Sequence, residues 1–309
     1  MNKLFIIAGP TASGKTAVAV ALAKLIGGEV VSADSMQIYK GMDIGTAKPT
    51  LEEQENIPHH MIDIVKPDEL YSAALYQQHA RAAIADIQAR GHVPILCGGT
   101  GFYINGVLND VKFAKDEDSD SLAAIAMRES FIDLAVAHGR DKLHAMLQEV
   151  DPAAAMEIHP NNIKRVSRAL SYTKATGLLF SDYNAVQKEQ PLIYDAVFCR
   201  LSVDRHVLYQ RINERAHTMF DAGLIDEVDR LIANGYHPGL TSMQGIGYKE
   251  VIRFIQGEYT QPEVIEAVKQ NSRRYAKRQE TWFRNQNPNA IAVSMEGSIL
   301  DIAQKIAAK

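Results

Sequence analysis

GPTASGKT, residues 9–16, follows the apolar run Leu4-Phe5-Ile6-Ile7-Ala8 and precedes Ala17-Val18-Ala19-Val20-Ala21-Leu22. Gly9, Gly14, Lys15 and Thr16 satisfy the pattern G-x-x-x-x-G-K-[ST], and a strand before it and a helix after it are the context that the pattern requires. The physical basis is backbone geometry. Glycines let the chain curl until its N–H groups converge on phosphate oxygens, the following helix adds its positive end, and the lysine supplies a point charge. The loop therefore spans Gly9, Pro10, Thr11, Ala12, Ser13, Gly14, Lys15 and Thr16, with the Thr16 hydroxyl placed to bind Mg²⁺. The motif leaves open whose phosphate is held: a nucleoside triphosphate about to lose its γ-phosphoryl, or another diphosphate whose chemistry lies elsewhere.

Outward from the loop, strand and helix signals alternate. Glu29-Val30-Val31-Ser32-Ala33 is a second apolar run and Val93-Pro94-Ile95-Leu96-Cys97 a third, the latter reached after a helix from about Ser72 to Arg90 that ends at Gly91. This rhythm predicts a parallel sheet. From Lys112 to Pro191 it stops: an acidic run (Asp116-Glu117-Asp118, then Asp120) leads into helical periodicity over Ser121–Ala137, Lys142–Gln148 and Asn161–Thr176, which reads as a helical insert. Tyr194–Val203 resumes the sheet. Asp204 then fits the N-cap of a helix to about Ala222, Gly223 breaks it, and a second helix runs to Gly235. Pro262 fits the first position of a long helix to about Arg284, and Ala290–Val293 gives a late strand. The predicted domains are 1–111 with 192–309 as the phosphate-loop core, and 112–191 as the helical insert.

The bulk numbers set limits. A chain of 309 residues, 23% charged and 46% hydrophobic, has an ordinary globular composition and room for a large core. Its net charge of −4 argues against wholesale coating of nucleic acid but permits a segregated basic surface. Cys97 and Cys199 are the only cysteines and lie far apart, which indicates neither zinc nor a disulfide framework. No run approaches the roughly 18 apolar residues of a membrane span, and a strand stands where a signal peptide would, so a cytoplasmic protein with no membrane partner is expected. A monomer is the expected state.

Two further features bear on chemistry. The strand beside the loop ends at Asp34, where ligands bind in open α/β sheets; an Asp after a strand is also a common turn carboxylate, and both readings stand. Lys269 to Arg284 carries six basic residues against one acid, Glu280, with Lys269, Arg273 and Lys277 at four-residue spacing. Tyr275, Trp282 and Phe283 interleave them, which suits a phosphate backbone and unstacked bases; a solvated charged face is the other reading. Lys164, Arg165 and Arg168 form a smaller group, and Arg211 and Arg215 fall four apart on the helix after Val203.

These segments together resemble the bacterial tRNA dimethylallyltransferase (tRNA isopentenyltransferase) family. The resemblance rests on GPTASGKT, on DSMQIYKGMDIGTAKP (34–49), HHMID (59–63), GGTGFY (98–103) and HPNNIKRVSRAL (159–170), and on QGIGYKE (244–250) and RRYAKRQETWFRN (273–285). It implies an α/β fold: a P-loop NTPase-like parallel sheet flanked by helices, with an all-helical insert domain. It also implies the reaction. The exocyclic amine of the adenosine just 3′ of the anticodon attacks the first carbon of dimethylallyl diphosphate, and diphosphate leaves. On that basis Gly9 to Thr16 hold the diphosphate with Lys15, Mg²⁺ sits at Thr16, Arg215 adds positive charge, and Asp34 is the general base. The tRNA anticodon stem-loop would be met by Asp34, Ser35, Met36, Gln37 and Thr100, by Arg128 in the first insert helix, and by Lys164, Arg165, Val166, Ser167 and Arg168. Gln244, Gly245, Ile246, Gly247, Tyr248 and Lys249 complete the set with Lys277, Arg278, Trp282 and Arg284. Some eukaryotic relatives carry a zinc finger, for which this chain lacks the cysteines. The acidic run matches no family motif.

Other readings of the same residues are a small-molecule kinase using ATP on the loop, an isopentenyltransferase acting on free adenine nucleotides, and an RNA-binding ATPase. Only the second shares the chemistry, and it should lose little activity when Arg273, Arg274, Lys277 and Arg278 are neutralised; a kinase would have little use for the basic aromatic segment.

Overall fold

In the computed structural model, strand β1 (Lys3–Ala8) is buried along both faces, as an unbroken apolar run demands. Leu4, Ile6 and Ala8 point into one core layer, Phe5 and Ile7 into the other. The structure describes residues 3–110, 122–188 and 190–309. The remaining strands are β2 (Gly28–Ala33), β3 (His59–His60), β4 (Val93–Gly98), β5 (Asp195–Ser202) and β6 (Ile291–Ser294). They form one parallel six-stranded sheet in the order β3-β2-β4-β1-β5-β6.

Helices cover both faces of this sheet. The first are α1 (Lys15–Ile26), α2 (Leu51–Gln54), α3 (Ala73–Ala89) and α4 (Gly101–Leu108). Helix α1 stops where Gly27 adopts φ 64° and its N–H closes on the Ala23 carbonyl. Its Val18, Ala19, Leu22 and Ala23 pack on the face that carries Phe5 and Ile7. Tyr76, Ala80 and Ile84 of α3 and Tyr103, Ile104 and Val107 of α4 fill the opposite layer.

Residues Asn109–Pro191 make a separate unit. Its described helices are α5 (Leu122–His138), α6 (Arg140–Val150), α7 (Pro152–Glu157), α8 (Ile163–Thr176) and α9 (Phe180–Lys188). They enclose a core of their own, built from Leu143, Leu147, Val166, Leu170 and Phe180. Asp151 pins two of them, accepting from Ala154 N at 3.0 Å and from Ser181 N at 2.8 Å. The acidic run Asp116–Asp120 lies outside the described residues.

Past β5 the first unit continues with α10 (Arg205–Asp221), α11 (Leu224–Ala233), α12 (Tyr248–Ile255), α13 (Gln261–Gln286) and α14 (Ile299–Ala307). Asp204 caps α10 by accepting from His206 N (2.8 Å) and Val207 N (3.1 Å), as its position after a strand predicts. Helix α13 sends Phe283 into the layer beneath α3, and α14 lays Ile302, Ala303 and Ile306 beside α1. Among the described residues no helix is long and apolar enough to cross a membrane.

Candidate active site

The adjacent order β2-β4-β1 brings three chain segments to the carboxyl edge of the sheet: Asp34 after β2, Gly99-Thr100 after β4, and the phosphate loop after β1. The loop curls because Ala12 (φ 62°) and Gly14 (φ 86°) take left-handed conformations. For Ala12 that costs about 1–2 kcal/mol. Gly14 caps α1 without a side chain, and the first turn of α1 holds no acid, so its N–H groups face an anion-binding position. The Ser13 hydroxyl is buried inside the loop and, among the described residues, has no hydrogen-bond partner. Lys15 Nζ folds over the loop and donates to the Pro10 carbonyl at 2.7 Å. Burial pushes the Lys15 ammonium down to about 8, against the nearby Cys97 and Asp34 and with the help of Arg215. Lys15, Asp34 and Arg215 thus share one electrostatic environment. Arg215 stands on α10, and desolvation of its guanidinium lowers its pKa against the pull of Glu53. It stays charged at any physiological pH.

The turn reading of Asp34 has its counterpart in one of its two oxygens. Oδ1 accepts from Met36 N (2.9 Å) and Gln37 N (3.4 Å), which builds the turn. Among the described residues Oδ2 has no hydrogen-bond partner, and the side chain is half-buried. Thr100 is tied to this turn: its N–H donates to Ala33 O at 3.0 Å, and its hydroxyl oxygen accepts from Ser35 N at 3.0 Å. Gly98 has no room for a side chain, since a Cβ there would collide with the Ala33 backbone. The Tyr275 hydroxyl meets Thr100 and Gln279, and burial together with the charge of Asp34 pushes it up to about 12.

The two loops are joined from outside. Gln279, buried on α13, accepts from Thr11 N at 2.8 Å and donates to Gly99 O at 3.0 Å. Sequence reasoning passed over this residue, although Ala276, Gln279 and Phe283 recur at helical spacing and place a polar side chain on a buried face. It passed over Glu227 too. That buried carboxylate accepts from Asp43 N (3.0 Å), Ile44 N (2.9 Å), Gly45 N (3.2 Å) and the Tyr248 hydroxyl (2.6 Å), fixing the segment after Asp34. No local pattern reveals a partner about 180 residues away in sequence.

The remaining site residues separate into surface and support. Gln37 is committed internally, accepting from Ser32 Oγ (3.1 Å) and donating to Thr46 O and Ala47 O (3.3 Å each). A Cβ on Gly245 would run into the Met36 methyl at 2.5 Å, and Gly247 N donates to Glu250 at 2.7 Å, with Gly247 and Tyr248 buried. Gln244 is exposed; Ile246 and Lys249 are half-buried. On α13, Arg274, Lys277, Arg278 and Arg284 are exposed. The expected row Lys269-Arg273-Lys277 is broken, because Lys269 is buried against Glu266 (2.5 Å) and Arg273 donates to Asn213 of α10 (2.5 Å). Trp282 is half-buried, packed on Gly101 and edge-on to Phe283 at 5.2 Å. In the helical unit, Lys164, Arg165 and Arg168 are exposed on α8, whereas Val166 and Ser167 face its core, and Arg128 donates to Ala124 O at 3.3 Å.

The IPP transferase family model matches residues 37–286, from the turn after Asp34 through the last residue of α13. The chain belongs to the IPP transferase family. Among relatives, the tRNA dimethylallyltransferase of Geobacillus thermodenitrificans is 49% identical over 287 residues, 93% of this chain and 89% of its own. That of Bacillus pumilus is 50% identical, covering 91% and 86%. Among solved structures, the tRNA delta(2)-isopentenylpyrophosphate transferase of Staphylococcus epidermidis superposes with a TM-score of 0.72 at 41% identity, covering 100% of this chain and 98% of its own. A eukaryotic dimethylallyltransferase, described as acting on tRNA, gives a TM-score of 0.79 at 29% identity, covering 98% and 75%. The architecture is therefore that of this family: a parallel sheet with a phosphate loop, flanked by helices.

Proposed function

We propose that this protein transfers a dimethylallyl group from dimethylallyl diphosphate to the exocyclic N6 of the adenosine 3′ to the anticodon of tRNA, releasing diphosphate. The observation that carries the reading is the pairing of an anion cradle with an open carboxylate oxygen. Lys15 and the start of α1, which has no side-chain cap, offer positive charge and N–H groups suited to an anion, and Asp34 and Arg215 both act on the Lys15 charge. N6 attacks C1 of the allylic chain, the C1–O bond breaks with its electron pair leaving on diphosphate, and the N6 proton passes to Asp34 Oδ2. An aromatic amine is a poor nucleophile, so orientation and leaving-group stabilisation carry most of the acceleration, and proton removal comes late. Asp34 is held ready by the turn on its other oxygen, and Thr100, fixed to Ser35, positions the acceptor.

Mg²⁺ fits the residues present. Among the described residues no group of three His, Cys, Asp or Glu could hold a metal by itself. A hydroxyl from Thr16 with diphosphate oxygens and waters suits an ion that keeps several waters. Bound there, it would offset the charge on the leaving diphosphate. Lys277, Arg278 and Arg284 on α13, and Lys164, Arg165 and Arg168 on α8, present cations suited to RNA phosphates, while Gly245 to Tyr248 support the turn that carries Met36. On this reading 112–191 helps to hold tRNA, and the protein acts in the cytoplasm.

Asp34→Ala tests the central role. We expect tRNA affinity to stay within about twofold while turnover falls about 10²–10⁴-fold, the range of general-base catalysis. An undiminished rate would remove Asp34 from the mechanism.

A further inference from the structure

We infer that Gln279 is a positioning residue for the diphosphate: its side-chain amide holds the phosphate loop and the loop after β4 in register. The inference rests on the proposed use of the loop. The amide oxygen accepts from Thr11 N at 2.8 Å and the amide nitrogen donates to Gly99 O at 3.0 Å, so both ends of one planar group are used. Among the described residues, Gln279 is the side chain from outside the loop that hydrogen-bonds its backbone. Thr11 immediately precedes Ala12, whose left-handed φ of 62° gives the loop its curl, and the buried Ser13 follows.

Inside the loop, the other restraints are a long Ser13 N to Pro10 O contact of 3.4 Å and the Lys15 bond to the same carbonyl. A diphosphate would draw Lys15 off Pro10 and leave the curl dependent on Gln279. The opposite end of the bridge, Gly99, adjoins Thr100, which is itself bound to Ser35 beside Asp34. One buried side chain therefore sets the spacing between the leaving group and the acceptor. It acts through other residues and touches no reacting atom. A Cβ at Gly99 would collide with the Gln279 amide, which shows how close the approach is.

The test is calorimetric titration of inorganic diphosphate with Mg²⁺ into the full-length protein, at a temperature well below melting, for wild type, Gln279→Met and Gln279→Glu. Gln279→Met keeps the length without adding charge; it should weaken diphosphate binding about tenfold, the scale of a misplaced hydrogen bond to a charged ligand. Affinity for tRNA should change less than about twofold, because the exposed cations of α13 lie on another face. Gln279→Glu should bind weakly at pH 8 and recover relative to wild type as the pH falls, since the protonated carboxyl can again donate to Gly99 O. Equal diphosphate affinity in wild type and Gln279→Met would overturn the inference, even with a lowered melting temperature, as would a Gln279→Glu ratio that ignores pH. A wild type that binds no diphosphate would overturn the reading of the loop itself.

Discussion

Lys15 enters the folded protein with its pKa pushed down to about 8 by burial, so its charge is sensitive to what occupies the loop. An arriving diphosphate favours the ammonium form and raises that pKa. Binding near pH 8 should therefore take up protons, whereas at pH 6, where the ammonium is already formed, uptake should be near zero. Calorimetry in buffers of different ionisation enthalpy measures this directly, and Lys15→Met should abolish the uptake; a wild type with no uptake near pH 8 would show that Lys15 does not face the anion. Asp34 illustrates what the sequence could convey at this scale. Its place after a strand was readable, and so were two alternatives for it, a turn carboxylate or a ligand. That one oxygen builds the turn depends on backbone geometry that begins only at Met36.

Helix α13 shows the same limit at the scale of an element. Its basic content was legible, but which cations are free depends on neighbours: Asn213 comes from α10, and Glu266 holds Lys269 from the preceding turn. The exposed set at Arg274, Lys277, Arg278 and Arg284 is what can meet RNA. Replacing Lys277 and Arg278 by Gln should reduce the salt dependence of tRNA binding by about 0.7–0.9 in the log–log slope per lost phosphate contact. An unchanged slope would return this face to solvent. Trp282, whose position among basic residues suggested base stacking, lies half-buried over Gly101. The long strands and helices were readable from periodicity, because a run buried on two faces or one stripe leaves a pattern. Strand β3, with two residues, leaves none, and α12 is fixed largely by the distant pairing of Tyr248 with Glu227. Tyr248→Phe should cost about 1.5–3 kcal/mol in chemical denaturation, as for other hydrogen bonds to a charged group. A cost near zero would mean that the backbone donors alone hold Glu227.

At the scale of the whole sheet, a charged cluster lies at the end opposite the candidate site. At the start of β2, far along the strand from Asp34, the buried Glu29 is paired with Arg90, with His60 at 2.7 Å and with His92 at 2.8 Å, tying β2 to β3, to the end of α3 and to the approach to β4. The Arg90 hydrogen bond leads in holding its carboxyl down to about 2, from an ordinary value of 4.5. A lowered carboxylate pKa stabilises the fold above the unfolded value, and the contribution is lost as the pH falls from about 4.5 toward 2. Wild type and Glu29→Gln should accordingly differ in denaturation midpoint at pH 7 and converge as the pH drops below 4.5; a constant difference would contradict the pairing. None of this cluster was apparent in the sequence, because Glu29, His60 and Arg90 come from separate elements. The family, by contrast, was legible across almost the full length, since its motifs are contiguous runs of sequence, several of them in the segments after β1, β2 and β4. What the phosphate loop carries decides the reaction. Incubation with Mg²⁺, dimethylallyl diphosphate and unmodified tRNA, followed by nucleoside analysis, should yield one N6-dimethylallyladenosine and one diphosphate per transfer; transfer to free AMP but not to tRNA, or phosphoryl transfer from ATP in its place, would contradict it.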